Sequence, residues 1–127
     1  MDGYTNRQSK IAIRLQIEDR LLKFVAGLLE LTDELPERIT VNQLQRSGTS
    51  IGANFEEATA AESKADFIHK LQIALKESRE TCYWLRLLHH SRRYSSTPMD
   101  SLLNEALQFR AILTKAVFTA KRNSSGA

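Results

Sequence analysis

The 127-residue chain contains few of the residues that interrupt or cross-link a fold: one cysteine, two prolines and five glycines. The single thiol, Cys82, excludes an internal disulfide and is typical of a reducing compartment, so we expect a cytoplasmic protein. The scarcity of proline and glycine favours long helices. Apolar runs of only a few residues predict no transmembrane span, and the polar first ten residues do not resemble a signal peptide.

The net charge is small, but it is distributed unevenly along the chain. The 18 lysines and arginines exceed the 15 aspartates and glutamates by three. Residues 1–85 hold 11 basic and 13 acidic side chains, whereas residues 86–127 hold 7 and 2. A basic C-terminal third favours an anionic partner such as RNA or DNA. A solvated basic surface without a ligand is the alternative.

Four segments are predicted to be helical because apolar residues recur three and four positions apart, at about 11–33, 40–59, 63–94 and 98–122. In the first segment Ile11, Ile13 and Leu15 alternate as in a strand, but a lone strand would have no partner. The short connections predict a single domain over residues 1–127. The expected fold class is all-α, an antiparallel up-down-up-down four-helix bundle.

Capping residues mark two of the helix starts. Ser63 and Asp66 form an S-x-x-D capping box at the start of the third helix. Thr97 is the expected N-cap of the fourth helix, with Pro98 at the first helical position. These signals separate the third and fourth helices from the turns that precede them.

The stretch from Gly48 to Gly52 reads G-x-S-x-G, the pattern of a hydrolase nucleophile elbow centred on Ser50. An elbow needs a buried strand before the serine and a sharp turn at it, whereas residues 41–47 have the polarity of a helix. Asp66 and His69 follow in triad order, but no sheet would hold them above the serine. We therefore expect these small residues to admit a neighbouring helix, and we expect no enzymatic activity.

A polar stripe follows the same helix, formed by Arg46, Ser50, Asn54 and Glu57. Serine and asparagine are less usual on a solvent face than lysine and glutamate. The stripe is predicted to be a buried network in which Ser50 and Asn54 bridge the two charged ends. The alternative is a surface stripe of mixed polarity.

A second apolar stripe on the third helix predicts self-association. Ile73, Trp84, Leu87 and Leu88 lie about 100° or more from the main core stripe of that helix. Such a stripe has no place to pack in a monomer, and aromatic anchors are common at interface centres. We predict an oligomer interface at Ile73, Trp84 and Leu87. The alternative is that the stripe covers the loop between helices 1 and 2.

Metal and cofactor chemistry is not indicated by the sequence. Cys82, His69, His89 and His90 show no recognised ligand spacing. The chain has no Walker phosphate loop and no dinucleotide fingerprint. We therefore expect no metal site and no cofactor.

The run from residue 43 to residue 88, QLQRSGTSIGANFEEATAAESKADFIHKLQIALKESRETCYWLRLL, resembles the core of the bacterial four-helix-bundle family, also known as the 23S rRNA intervening-sequence proteins. The positions that carry the resemblance are Gln43, Arg46, Ser50, Ile51, Asn54, Glu57, Ser63, Asp66, Phe67, Ala74, Glu77, Glu80, Tyr83, Trp84 and Leu85. Ala58 departs from the glycine that many members have after this glutamate.

This resemblance implies a cytosolic bundle that assembles as a homopentamer without an established catalytic activity. The family is similar to the accessory proteins of diversity-generating retroelements, which are basic pentameric bundles that bind a reverse transcriptase and nucleic acid. Two functions are therefore expected as alternatives. One is association with RNA or DNA; the other is a scaffold or accessory subunit for a partner enzyme such as a reverse transcriptase, without contact to nucleic acid.

Two basic clusters are the predicted nucleic-acid contacts. Arg92 and Arg93 follow two histidines at the end of the third helix, and Lys115, Lys121 and Arg122 lie towards the end of the fourth. A ring would repeat each cluster fivefold, which favours binding of phosphate backbones with release of counterions. Aromatic residues are scarce near these clusters, so base-specific readout is not expected.

Overall fold

The computed structural model describes residues 2–91, 94 and 96–125, and within these ranges it describes side chains from residue 7 to residue 123. It contains the helices α1 (Asp2–Thr32), α2 (Arg38–Thr59), α3 (Lys64–His90) and α4 (Thr97–Ser125). None of the described residues lies in a strand. The predicted all-α class with four helices is confirmed. None of the helices in the described residues has both the length and the apolarity needed to cross a membrane.

The largest difference from the expected helix ends is at α1. It begins at Asp2 rather than near residue 11, and it passes without a break through Ile11, Ile13 and Leu15. The alternation of these three residues therefore does not reflect a strand. All three are exposed, so neither face of this segment is fixed by burial in the chain itself.

The predicted end of the third helix also differs, because α3 stops at His90 and not near residue 94. Ser91 takes an extended conformation, with φ −80° and ψ 114°. Its backbone N–H donates hydrogen bonds to the carbonyls of Leu87 and Leu88, which closes the last turn.

The two predicted caps have different outcomes. The Ser63 side chain accepts a hydrogen bond from the backbone N–H of Asp66 at 3.1 Å, as the capping box predicts. The prediction for Thr97 is wrong, since this residue is the first of α4 and Ser96 Oγ accepts the N–H of Met99 at 3.2 Å. Proline at the second helical position is tolerated because an N–H there has no partner within the helix.

The four helices pack in a closed order around one core. Helix α1 contacts α2 and α4, and α3 contacts α2 and α4. The rings of Phe24 and Phe109, from α1 and α4, lie 5.5 Å apart between their centroids. The largest side chains in the interior are fully buried, and they include Leu28, Leu44, Ile51, Leu85, Phe109 and Leu113. This core holds α3, which carries the predicted interface residues Ile73, Trp84 and Leu87, against two neighbours.

Candidate subunit and nucleic-acid interfaces

The G-x-S-x-G stretch lies in the interior of a helix. Ser50 is near the middle of α2, and residues 38–59 are helical without interruption. The strand and sharp turn that define a nucleophile elbow are therefore absent at Ser50. Two of the small residues, Ser47 and Gly48, are buried, whereas Ala53 is exposed. The Ser47 hydroxyl accepts a hydrogen bond from Thr81 Oγ1 of α3 at 2.9 Å.

Gly48 and Gly52 are not equivalent in this packing. A Cβ built at Gly48 would lie 3.2 Å from Cδ1 of Leu28, a side chain of α1 that is fully buried. A Cβ built at Gly52 would meet its nearest atom, Cβ of Leu21, at 3.9 Å, an ordinary van der Waals contact. Close approach of α1 therefore requires the small residue at position 48 and not at position 52.

The charged residue at the start of the polar stripe pairs with α3. Arg46 donates a hydrogen bond from Nη1 to Glu77 at 3.3 Å and a second from Nη2 to Glu80. Trp84 Nε1 donates to the same Glu80 carboxylate at 3.2 Å. The hydrogen bond from Arg46 is the largest influence that lowers the pKa of Glu80, and the indole N–H lowers the pKa further. We call Arg46, Glu77, Glu80 and Trp84 the α2–α3 polar seam.

The rest of the stripe does not continue this seam. Asn54 donates from Nδ2 to the backbone carbonyl of Ser50 at 2.9 Å. Glu57 pairs with Lys70 of α3 at 2.7 Å. In the predicted network Ser50 and Asn54 join the charged ends, whereas in the structure each charged end reaches its own partner on α3. The reason is that α3 packs against α2 and brings oppositely charged side chains within ion-pair distance of both ends of the stripe.

The second apolar stripe of α3 is only partly exposed. Leu87 is 45% exposed, while Ile73 and Trp84 are half-buried. Leu88 is 2% exposed and belongs to the core, so its inclusion in an outward stripe is wrong. Tyr83, which was not among the predicted interface residues, is 56% exposed, and its ring lies 5.0 Å from that of Trp84. Tyr83, Trp84 and Leu87 form what we call the Trp84 patch.

A group of basic residues missed by the sequence prediction lies where α3 and α4 meet. Arg79 of α3 and Arg110 of α4 line one surface depression of about 390 Å³ together with Thr114. Arg86 follows Arg79 by two helical turns, and both Arg86 and Arg110 act electrostatically on the thiol of Cys82. Burial is nonetheless the largest influence on that thiol and raises its pKa. We call Arg79, Arg86 and Arg110 the cationic face.

Most acidic residues of α3 and α4 contact residues outside the cationic face. Glu77 and Glu80 pair with Arg46 of α2, and Glu105 pairs with Arg20 of α1 at 2.6 Å. Asp100, at the start of α4, lies 2.8 Å from Nδ1 of His89. Four of the five acidic residues of α3 and α4 are thus paired, which leaves Asp66 in the first turn of α3. These contacts join the four acids to residues other than Arg79, Arg86 and Arg110.

Of the two basic clusters predicted from the sequence, the structure describes only the one on α4. Lys115 and Lys121 are exposed on α4. Arg122 is exposed, and its guanidinium lies 5.8 Å from the ring centroid of Phe118. Arg92 and Arg93 lie outside the described residues. A signal for the cationic face exists in the sequence, because Arg79 and Arg86 are seven residues apart and so share a helix face.

A groove runs beneath the first half of α1. A cavity of about 620 Å³ lies between α1 and the α2–α3 turn, and a second of about 550 Å³ lies between α1 and α4. The two cavities have six lining residues in common: Lys10, Ile13, Lys64, Phe67, Leu71 and Ala116. The two cavities are therefore adjacent, and together we call them the α1 groove.

The described residues offer no arrangement of three or more histidine, cysteine, aspartate or glutamate side chains suited to a metal ion. Cys82 is 1% exposed and packs in the core.

The structure is that of an all-α four-helix protein in which the α2–α3 polar seam and the Trp84 patch lie on α2 and α3. The family model for the 23S rRNA-intervening sequence protein matches residues 14–115, and the chain belongs to this family. The family resemblance predicted from residues 43–88 is confirmed.

One solved structure extends this likeness to the level of coordinates. It is a protein of unknown function from the S23 ribosomal protein family of Bacteroides thetaiotaomicron, determined at 1.70 Å resolution. It is 39% identical to this chain and superposes with a TM-score of 0.73, covering 80% of this chain and 97% of its own. No functionally curated protein matches the sequence.

Proposed function

We propose that this protein is a non-enzymatic, cytoplasmic homo-oligomer that associates with RNA through the cationic face. The observation that carries the proposal is the grouping of Arg79, Arg86 and Arg110 on two helices whose acidic residues, except Asp66, contact residues outside this group. Guanidinium groups bind phosphate oxygens through paired hydrogen bonds, and such contacts are independent of base sequence. RNA is the first ligand to test because the family is named after an intervening sequence of 23S rRNA.

An antiparallel up-down arrangement is part of this proposal and is supported by the order of contacts. Between α2 and α3, Ser47 pairs with Thr81 and Glu57 pairs with Lys70, so residue numbers rise on one helix as they fall on the other. Between α1 and α4, Arg20 contacts Glu105, while a Cβ at Gly27 would lie 3.7 Å from Leu102. In both helix pairs the residue numbers run in opposite directions, as expected for antiparallel neighbours.

Self-association, with five subunits as the family resemblance implies, is supported by the Trp84 patch. Tyr83 and Leu87 expose apolar surface next to Trp84, whose indole donates a hydrogen bond to Glu80. Exposed apolar surface grouped around an aromatic anchor is typical of protein interfaces. A pentamer would carry a net charge of 5 × 3, or +15, and would present five copies of the cationic face. Multiplied charge raises the attraction to a polyanion.

A second candidate function is a scaffold for a partner enzyme such as a reverse transcriptase, without contact to nucleic acid. It is favoured by apolar side chains outside the Trp84 patch, since Ile39 is 84% exposed and Leu22 is 72% exposed. On this reading the arginines contribute solubility or pair with acids of the partner.

The experiment that separates the two functions is binding of fluorescein-labelled RNA measured by anisotropy over a range of salt concentrations. Wild-type affinity should fall with a log–log slope of about −0.7 per phosphate neutralised for single strands and about −0.9 for duplexes. Arg79→Glu with Arg86→Glu should weaken binding to all sequences and make the slope shallower by roughly one per residue. DNA of the same lengths is tested in parallel.

A matched control keeps the result specific to the cationic face. Arg86→Glu alone and Lys23→Glu alone both change the net charge by two, but Lys23 lies on α1 and pairs with Asp19. Only the first should reduce affinity strongly. Flat isotherms for the wild type with single- and double-stranded ligands near physiological salt would favour the scaffold instead.

A further inference from the structure

We infer that the α1 groove binds a single-chain amphiphile with an anionic head group, such as a long-chain carboxylate or an alkyl phosphate. This inference is independent of the RNA proposal, because it concerns a different surface and a different ligand. It rests on the shape of the groove, its apolar lining and the charges at its rim.

The lining of the groove is apolar along its length. Phe67 and Leu71 of α3 and Ala116 of α4 contribute to both halves, and Phe55 and Ala58 of α2 line the larger half. Ile13 of α1 lines both halves and is still 55% exposed. This segment of α1 therefore stands away from the floor of the groove instead of packing onto it.

The shape of the groove selects a slender occupant. Its halves meet at α1, where Lys10 and Ile13 line both of them. A partner helix with its side chains is about 10 Å across and does not fit beneath another helix without displacing it. An alkyl chain is slender enough for such a space, and each half, with about 620 and 550 Å³, has a volume typical of a small-molecule site.

The charge of the rim selects an anion. Lys10, Lys64 and Lys115 stand at the edges of the groove, and all three are exposed. Among the described residues, Glu62 is the one carboxylate that lines the groove. Arg14, which also lines it, lies 3.8 Å from Glu18 on its own helix. An amphiphile with its chain on Phe67 and Leu71 would bring its head group to these lysines, whereas a cationic head group would be repelled.

The groove is built in part by residues outside the stretch that matches the family model. Lys10 and Ile13 precede residue 14, and Ala116 follows residue 115. The site therefore follows from this chain's own helices α1 and α4.

The test is calorimetric titration of the full chain with decanoate, dodecanoate and tetradecanoate below their micelle-forming concentrations. Each step of two methylenes should tighten binding roughly tenfold until the groove is filled. Dodecyl phosphate tests the other anionic source, and dodecyltrimethylammonium tests the same chain with the opposite charge. Saturable binding of both anions, without binding of the cation, is expected. Absence of saturable binding, or equal binding of the cation, overturns the inference.

Variants test the location of the site. Lys64→Glu with Lys115→Glu should weaken dodecanoate binding roughly tenfold, whereas Lys23→Glu with Lys76→Glu makes the same charge change outside the groove and should have little effect. Ala116→Phe should block the floor, and Ala111→Phe on the exposed side of α4 is its control. Circular dichroism checks that each variant is folded. If Ala116→Phe lowers the mass in light scattering and dodecanoate does not bind, a second copy of the chain fills the groove and the inference fails.

Discussion

Replacing each α2 glycine by alanine tests the reasoning about close helix packing. Glycine within a helix is less favourable than alanine by about 1 kcal/mol, because more conformational freedom is lost on folding. At Gly52 the added methyl would be in ordinary contact with Leu21, at 3.9 Å. Gly52→Ala should therefore stabilise the protein by about 1 kcal/mol, which corresponds to a rise in Tm of roughly 4 °C.

At Gly48 replacement by alanine gives the same gain in helix stability, but the added methyl group is opposed by close packing. The added methyl would lie 3.2 Å from Cδ1 of Leu28, which is fully buried and must move by a few tenths of an ångström. Overpacking in a filled core typically costs about 1–3 kcal/mol. Gly48→Ala should therefore be less stable than Gly52→Ala by about 1 kcal/mol or more.

The assay is urea denaturation followed by far-ultraviolet circular dichroism at one fixed protein concentration, since association contributes to the stability of an oligomer. The two variants are controls for each other, because they make the same chemical change in the same helix. Equal stabilities of Gly48→Ala and Gly52→Ala would refute the claim that position 48 sets the approach of α1.

Three further changes test other parts of the account. Trp84→Asp should dissociate the oligomer without unfolding the chain, so light scattering should show a fall from about 5 × 14.4, or 72 kDa, towards 14.4 kDa. Ser50→Ala should change no activity, and a fluorophosphonate probe should not label wild-type Ser50, which lies inside α2. Glu80→Gln should destabilise the protein at neutral pH, with a difference that disappears in acid, as measured by urea denaturation at several pH values.

The sign of the pH effect follows from the lowered pKa of Glu80, whose main cause is the hydrogen bond from Arg46. A carboxylate with a depressed pKa in the folded state contributes stability above its unfolded pKa and loses it as the pH falls through the folded value. The variant and the wild type should therefore converge below pH 4.5. A difference that is constant across this range contradicts the role of the charged pair. A wild-type protein that is monomeric in light scattering would contradict the prediction for Trp84→Asp. Stoichiometric labelling of Ser50 by the fluorophosphonate probe would contradict the prediction for Ser50.

The positions of the helices could be predicted wherever the sequence carries a local signal. Apolar periodicity identifies the four helices, and the Ser63 box marks the start of α3 because a short-range hydrogen bond decides that position. The start of α1 was not predictable in the same way. Its first turns bury little, so neither periodicity nor a cap marks Asp2 as the beginning.

The surface was harder to predict because it depends on which helices become neighbours. The polar stripe of α2 was visible, but its partners Glu77, Glu80 and Lys70 belong to α3 and are chosen by tertiary packing. Leu88 was assigned to an outward stripe because helical angles alone do not show where the core ends. The cationic face was missed for the same reason, since Arg110 joins Arg79 only when α4 packs on α3.

The central claim is that an oligomer of this chain holds RNA by its phosphates, and one sedimentation velocity experiment tests it directly. Purified wild-type protein is mixed with a fluorescein-labelled RNA and detected at 280 nm and at the dye wavelength, at about 50 mM and about 200 mM salt. We predict that the RNA moves with a protein boundary several times heavier than the 14.4 kDa chain at the lower salt and separates from it at the higher. RNA that sediments alone at both salt concentrations, or protein that sediments as a monomer, would contradict the account.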